Sequence, residues 1–445
     1  MEHVQSLVEH ERGRHVFSRG RSLGGDCRYE NASPNYFRSS PRFTKHAGGR
    51  MFLSDTHLPQ LLPPSAYTDP TWYITEREHV LTPAWHVVAT TSQFPRDGSF
   101  ITFDFFGCPI ILRRHCGEIR GFLNVCAHRL AKLTSQPTGY CSALRCGYHG
   151  WEYDEVSGAT KKIPDAPSFK PLEKGMLGLT SVRVETCGGL VFATLSEDAP
   201  SVGKSLLECG IDVARTMSPA GFLGMREICF PVNWKVAIEN TLESYHVGEV
   251  HPKTFKTAPA EEQCSHQLFP AISIFCGPGD TVPWIQRLER VLLSGAAIPQ
   301  TGGYRHVHLY PTCTIAETDT FTIILSFLPE SANRTRLFMT WFASQRAGAS
   351  AVWNGLIRNW GRVQSGFWLT VVNEDLSMLP TVQQGLASSS HPGTGLISRR
   401  EERITHFQQW ILDRIQTDTT ATQPATMLVT HSSPSAVSPM ENVLT

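Results

Sequence analysis

The tightest constraint on this chain lies in residues 126–151, CAHRLAKLTSQPTGYCSALRCGYHGW, where Cys126-x-His128 is followed after seventeen residues by Cys146-x-x-His149. Two thiolates and two imidazoles at that spacing make a metal site, so the fold must bring two loops together to complete it. Zinc accepts such a set, but a zinc hairpin normally takes its first pair as Cys-x-x-Cys. Here each knuckle supplies one Cys and one His. That division suits an iron pair with one iron on both thiolates and the other on both imidazoles. Such a cluster is formally neutral when oxidised, so one added electron creates a single net charge and the potential lies above that of an all-Cys cluster. Gly147 and Gly150 let backbone pass close to the sulfurs, with their amides in hydrogen-bonding reach.

At 445 residues the chain allows two or three domains. Lys plus Arg and Asp plus Glu balance at 40 each, so no field favours nucleic acid or an anionic membrane. No run of about eighteen apolar residues is present, so no membrane span is expected. The twelve cysteines are scattered singly, the usage of a reducing compartment, and a cytoplasmic location is expected. Residues 1–60 read as a disordered N-terminal extension, rich in Arg, Ser, Gly and Asn up to about residue 50. The alternative is a leader to an organelle matrix, against which Glu2, Glu9 and Glu11 count.

The fold class reads as α+β. Residues 61–83 are helical, with apolar Trp72, Ile74 and Val80. Residues 84–200 are short antiparallel strands with turn signals at Gly107, Gly117 and Gly139, a β-sandwich holding the Cys/His set on two loop tips. Residues 196–208 read as a linker, and residues 201–415 as a second domain, an antiparallel sheet flanked by helices. Its most informative helix starts at the cap Asn233, with Trp234, Ile238, Leu242 and Tyr245 as a buried stripe and Glu239, Glu243 and His246 on another. His246 and His251 are about 140° apart on a helix, so both meet one metal only if the helix ends between them, and Gly248 and Pro252 offer that break. Two imidazoles plus one carboxylate make the open facial triad of non-haem Fe(II) sites. Residues 303–344 read as period-2 strands with a hairpin at ESANRT, and His306 and His308 there as structural or pocket-lining. Pro380 is expected to break or kink the helix that follows. Residues 401–415 form a closing helix carrying Ile404, Phe407 and Ile411 on one face, and residues 416–445 a disordered tail.

Two motifs carry a family resemblance. C-x-H-R with C-x-Y-H-G-W, and N-W-K-x-x-x-E-N-x-x-E-x-Y-H-x-x-x-x-H over residues 233–251, resemble the Rieske non-haem iron oxygenases. Gly147 departs from the Pro common there. The resemblance implies that Cys126, His128, Cys146 and His149 hold a [2Fe-2S] cluster and that His246, His251 and Asp375 hold Fe(II). Glu374 competes for the third place, with Asp319 behind it. It also implies Asn240 beside the iron, and Glu243 as the bridge carrying an electron from cluster to iron. O2 is then the oxidant, NAD(P)H supplies electrons through a separate reductase or ferredoxin, and a head-to-tail homotrimer apposes one protomer's cluster to its neighbour's iron. Glu243, the segment VNEDLSMLPTVQQGLAS and the final EExIxxFxxW most resemble choline and carnitine monooxygenases, implying choline hydroxylation to betaine aldehyde. Trp284, Phe321, Phe327, Trp341 and Phe367 are the aromatic faces available for a quaternary ammonium. The alternatives are a monooxygenase or N/O-demethylase acting on a larger metabolite, a Rieske electron carrier, and a zinc-stabilised binding protein.

Overall fold

The computed structural model describes residues 52–255, 258–279, 282–390 and 395–419, and these described residues fall in one compact unit. The expected disorder of residues 1–51 and of the tail from residue 420 lies outside the described residues. Residues 52–60, expected to be disordered, are tied down. Phe52 is buried, β1 (Leu58–Pro59) pairs antiparallel with Leu396–Ile397, and the Leu53 and Ser54 amides donate to Glu402. Their partners lie some 340 residues away in sequence, beyond the reach of local composition.

α1 (Ser65–Thr68) and α2 (Pro70–Glu76) follow, α2 capped by Asp69, which accepts Thr71 N at 2.8 Å. The first domain holds β2 (His86–Thr90), β3 (Ser99–Phe105), β4 (Cys108–His115), β5 (Glu118–Leu123) and β6 (Thr138–Tyr140). Next come a small sheet of β7 (Leu144–Arg145), β8 (Glu152–Tyr153) and β9 (Thr160–Lys162), then β10 (Ser181–Cys187) and β11 (Leu190–Thr194). The seven-stranded sheet runs β2-β11-β10-β5-β4-β3-β6. Gly107 and Gly117, at φ +87° and +82°, close the β3–β4 and β4–β5 hairpins. Gly139 is no turn: it lies in β6, where a Cβ would meet the Phe100 ring at 2.9 Å.

The expected linker contains α3 (Val202–Glu208), whose Val202 and Leu206 are buried, and α4 (Val213–Thr216). The second domain begins with β12 (Phe222–Phe230), α5 (Trp234–Thr241) and α6 (Val247–Val250), then β13 (Ser265–Phe269), β14 (Ile272–Pro278) and α7 (Pro283–Gly295). β15 (Gly303–Leu309), β16 (Cys313–Glu317), β17 (Phe321–Ser331) and β18 (Arg334–Ala343) complete its antiparallel sheet, in the order β12-β18-β17-β16-β15-β14-β13. α8 (Ala351–Leu386), β19 (Leu396–Ile397) and α9 (Glu402–Thr419) close the chain.

The central strands of this sheet are covered on both faces. Phe321, Ile323, Leu337, Met339 and Trp341 join a core with Trp234 and Phe407, whereas Ile324, Phe338 and Phe342 pack with Val87, Leu190 and Phe192 of the first domain. The period-2 reading therefore understated burial here. α8 runs through Pro380 where a break or kink was expected. Gln383, one turn on, donates to Tyr67 O at 3.1 Å and accepts Asn233 N at 2.8 Å, and this anchoring with buried Leu379 offsets the bond the proline cannot make. The last helix likewise reaches Thr419, past the expected start of the tail at residue 416.

Polar contacts to two buried carboxylates, Glu76 and Glu239, hold α5. Lys235 Nζ lies 2.7 Å from Glu76 Oε1, both side chains fully buried, and Trp234 Nε1 donates to Glu76 Oε2 at 3.0 Å. Glu239 Oε1 accepts from Tyr67 OH at 2.7 Å and Gln408 Nε2 at 2.9 Å. Burial raises the Glu239 carboxyl from 4.5 to about 7, against the pull of those donors and of Lys235. A carboxyl whose folded pKa is raised stabilises the fold fully below its unfolded value, and that contribution fades as pH climbs from about 4.5 to 7. Glu239→Gln keeps the acceptor and removes the titration. The variant should therefore gain about 1–3 kcal/mol over wild type at pH 8 relative to pH 5, checked by urea unfolding at both values; parallel pH profiles for the two proteins would refute the assignment.

Candidate metal centres

The Cys/His set sits where two loops of the first domain converge, between β5 and β6 and between β7 and β8. Cys126 and Cys146 are each 1% exposed, within a cluster containing Leu133, Leu144, Trp151 and Tyr153, whereas His128 is half-buried and His149 exposed. The two imidazole centroids are 4.6 Å apart, and the His128 ring stacks on Trp151 at 4.9 Å with an interplanar angle of 1°. Both knuckles are closed by backbone: Leu130 N donates to Cys126 O and Gly150 N to Cys146 O, each at 3.0 Å. The Gly150 amide, expected to point at a sulfur, is thus used inside its own turn, where φ is +74°. Tyr153, which the sequence reading passed over, places its hydroxyl 2.9 Å from Cys126 Sγ. That oxygen accepts Ala127 N at 3.0 Å, leaving the phenolic proton for the sulfur.

The second site forms where α5 ends. The helix stops at Thr241, about two turns earlier than the expected break near Gly248, and Gly248 lies inside α6. Tyr245, expected in the buried stripe, is 63% exposed because the chain has already left the helix. His246 and His251 flank α6, and Asp375 reaches them from the middle of α8. Ligand atoms of His246, His251 and Asp375 lie within 4.8 Å of one another. Asp375 Oδ1 is 3.1 Å from His251 Nε2 and 3.4 Å from His246 Nε2, yet it is buried without a hydrogen bond of acceptable geometry.

The outer ring nitrogens explain this. His246 Nδ1 is held by Glu243 Oε1, while His251 Nδ1 lies 2.8 Å from Glu374 Oε2, which also accepts Thr254 Oγ1 at 2.9 Å. With each Nδ1–H donated to a carboxylate, both Nε2 lone pairs face the Asp375 carboxylate. Three acceptors converging with no donor between them fit a cation. Without one, burial lowers the His246 pKa but Asp375 and Glu243 outweigh it, lifting the imidazole to about 10. Asp375 is itself held below the usual carboxylate range by His246 and His251, against burial.

Glu374 and Asp375 thus grip opposite nitrogens of one imidazole. Asp319 is elsewhere, accepting Thr301 N and Gly302 N at 2.8 Å. The Asn240 amide adds to the lowering of Asp375, although its buried Nδ2 satisfies no hydrogen-bond geometry. His306 and His308 stay structural: His306 Nδ1 accepts from Arg403 and His308 Nε2 donates to Pro311 O at 2.8 Å.

An aromatic wall adjoins His251. Phe255 lies 5.7 Å from its ring, Phe367 5.4 Å and Trp368 6.1 Å from Phe255, and Tyr304 stacks on Trp368 at 6.0 Å. Of the aromatic candidates drawn from the sequence, only Phe367 stands in this wall. Phe321, Phe327 and Trp341 are buried in the core, and Trp284 packs against Trp360 at 6.2 Å. Trp368 was findable, since seven residues, about two helical turns, separate it from Asp375 on the same face of α8.

Residues 84–179 match the Rieske [2Fe-2S] domain family and residues 214–417 the ring hydroxylating alpha subunit catalytic domain family. The chain is 34% identical over 195 residues to the biphenyl 2,3-dioxygenase alpha subunit of Rhodococcus jostii, covering 42% of each protein. It is 31% identical over 194 residues to the glycine betaine monooxygenase oxygenase subunit of Chromohalobacter salexigens, covering 43% of each. The matched part thus spans less than half of these curated relatives. Its fold is similar to that of the quaternary ammonium Rieske monooxygenase CntA in complex with L-carnitine, with TM-score 0.60, 20% identity, and coverage of 81% of this chain and 96% of that one. Naphthalene 1,2-dioxygenase with bound indole aligns at TM-score 0.61 and 17% identity, over 83% and 98% of the two chains. With a Rieske [2Fe-2S] domain followed by a mononuclear iron catalytic domain, the chain belongs to the family of Rieske ring-hydroxylating oxygenase alpha subunits.

Proposed function

We propose that this protein is a terminal oxygenase that hydroxylates a substrate C–H bond, using O2 and electrons delivered by a separate NAD(P)H-dependent reductase or ferredoxin. The observation carrying this reading is the convergence of His246 Nε2, His251 Nε2 and Asp375 Oδ1 with both Nδ1 atoms tied back by carboxylates. In this reading those three residues hold Fe(II), and Cys126, His128, Cys146 and His149 hold the [2Fe-2S] cluster. Held there, the cluster would supply electrons singly and the ferrous ion would supply O2 activation.

The protein residues orient and insulate. Glu243 and Glu374 fix the tautomers of the two imidazoles, keeping their Nε2 lone pairs aimed inward. Glu243 is well placed on the electron path, since it touches His246 and its partner across a subunit interface would be the exposed His149 edge of a neighbour's cluster. A head-to-tail trimer makes that meeting through a heterologous ring interface. Around the cluster, the Tyr153 hydroxyl stabilises extra charge on Cys126 Sγ. Tyr153→Phe should lower the cluster potential by on the order of 50 mV, about 1 kcal/mol for a one-electron couple; an unchanged midpoint in an EPR-monitored redox titration would remove Tyr153 from this role.

For substrate, the wall of Phe255, Phe367, Trp368 and Tyr304 suits a methylated ammonium through cation–π contact, the class that choline, carnitine and glycine betaine share. A second reading, an aromatic or larger apolar substrate, is supported by the same wall and by the similarity to a biphenyl dioxygenase subunit. The test is iron and sulfide content of anaerobically purified protein, then O2 uptake and product mass with choline, carnitine, glycine betaine and biphenyl. About three irons and two sulfides per chain are expected, with a hydroxylated or demethylated ammonium as product. Zinc without sulfide would sink the oxygenase reading, and turnover of biphenyl alone would select the second substrate class.

A further inference from the structure

Arg403 projects from the first turn of α9 into the second domain and is only 1% exposed. Its Nε donates to Ser273 Oγ at 3.0 Å, Nη1 to Leu242 O at 3.3 Å and His306 Nδ1 at 3.2 Å, and Nη2 to Ser273 O at 3.2 Å and His306 O at 3.3 Å. Nη2 also lies 3.2 Å from His306 Nδ1. None of these acceptors is a carboxylate. The adjacent Glu402 faces away, its carboxylate accepting from Leu53 N, Ser54 N and His266 Nδ1. A guanidinium buried without an anion is strongly destabilising unless its donors are all satisfied, and an apolar side chain would fill the same space without that cost. The charge therefore points to a task that packing alone does not perform.

Leu242 is the C-cap of α5, so its carbonyl is among the backbone acceptors left open at the negative end of that helix. The next residue, Glu243, holds His246 Nδ1 and accepts the amides of Tyr245 and His246. The point where α5 stops thus sets where Glu243 and His246 begin. Just before α9, Arg400 donates to Pro259 O at 2.9 Å and Arg399 pairs with Glu261, in the chain that follows His251. We propose that Arg403 is a positioning residue for the mononuclear iron site, fixing through Leu242 O the turn that presents Glu243 and His246. This rests on the reading of His246 as an iron ligand.

The experiment compares wild type, Arg403→Met, Arg403→Lys and Ser273→Ala by anaerobic Fe(II) titration and by EPR of the nitric oxide adduct of the ferrous site. Visible spectra of the cluster and melting curves show that the rest of the molecule is intact. Arg403→Met should weaken Fe(II) binding by about tenfold or more and broaden the adduct signal into several species, with the cluster spectrum unchanged. Lys keeps the charge and reaches fewer acceptors, so it should fall between Met and wild type, and Ser273→Ala should shift the same readouts slightly. Should the Met variant not fold, the Lys and Ser273→Ala proteins decide. Wild-type Fe(II) affinity and adduct spectra in the folded variants overturn the role of Arg403 alone. Failure of wild type to bind Fe(II) overturns the iron reading and this proposal with it.

Discussion

Asp375→Ala protein should bind essentially no ferrous iron and lose turnover by roughly a thousandfold or more, because several kcal/mol of metal-centred stabilisation disappear, while its cluster spectrum remains that of wild type. The effect is large because Asp375 Oδ1 is the atom both imidazoles face, 3.1 and 3.4 Å from their Nε2 nitrogens. Glu374→Gln provides the contrast. Its carboxylate meets the outer nitrogen of His251, so the variant should keep iron with affinity weakened about 10–100-fold. Equal iron loss in the two variants would mean that the adjacent carboxylates have been assigned the wrong way round. A pH dependence accompanies this. Without a cation His246 is held up to about 10, so iron must displace a proton, and affinity should rise with pH below that value. Iron binding by equilibrium dialysis at pH 6.5 and 8.0 measures it.

Glu76→Ala should destabilise the protein by about 3–5 kcal/mol, the cost of leaving one member of a buried ion pair alone. Lys235 is fully buried and 2.7 Å from Glu76, and burial already draws its pKa down against the pull of that carboxylate. Removing Glu76 also strips the acceptor from Trp234 Nε1, at the first turn of the helix that leads to Glu243 and His246. The double variant Glu76→Leu/Lys235→Met should recover most of the loss, since the pair stabilises little relative to well-packed apolar groups. Urea unfolding of the single and double variants checks both statements; a single variant as stable as wild type would show that Lys235 finds another partner.

Much of the chemistry was legible locally. The spacing of Cys126, His128, Cys146 and His149 specifies two short knuckles, and in the structure both close on backbone bonds within four residues of each cysteine. His246 and His251 stand five residues apart with a helix interruption required, and the structure interrupts the helix, though earlier, at Thr241. Asn233 was readable as a cap because capping is an interaction over two or three residues, and its side chain accepts Lys235 N at 2.9 Å. The strands and the hairpin at ESANRT were legible, β17 and β18 pairing antiparallel across it, but alternation does not tell that both faces of these strands are covered.

Local order of residues thus carries the elements whose physics is short in range: two Cys/His knuckles, a capped helix ending before a second histidine, and antiparallel strands in an α+β chain. Tertiary structure alone decided which groups meet across long separations. Glu374 and Asp375 are neighbours on α8, and successive residues on a helix point about 100° apart. Only the placement of α8 against α6 settles that Asp375 faces the inner nitrogens and Glu374 an outer one. Arg403 against Leu242 and Phe255 beside Trp368 are settled the same way, by packing of surfaces distant in the chain, for which no local pattern of residues is a signature.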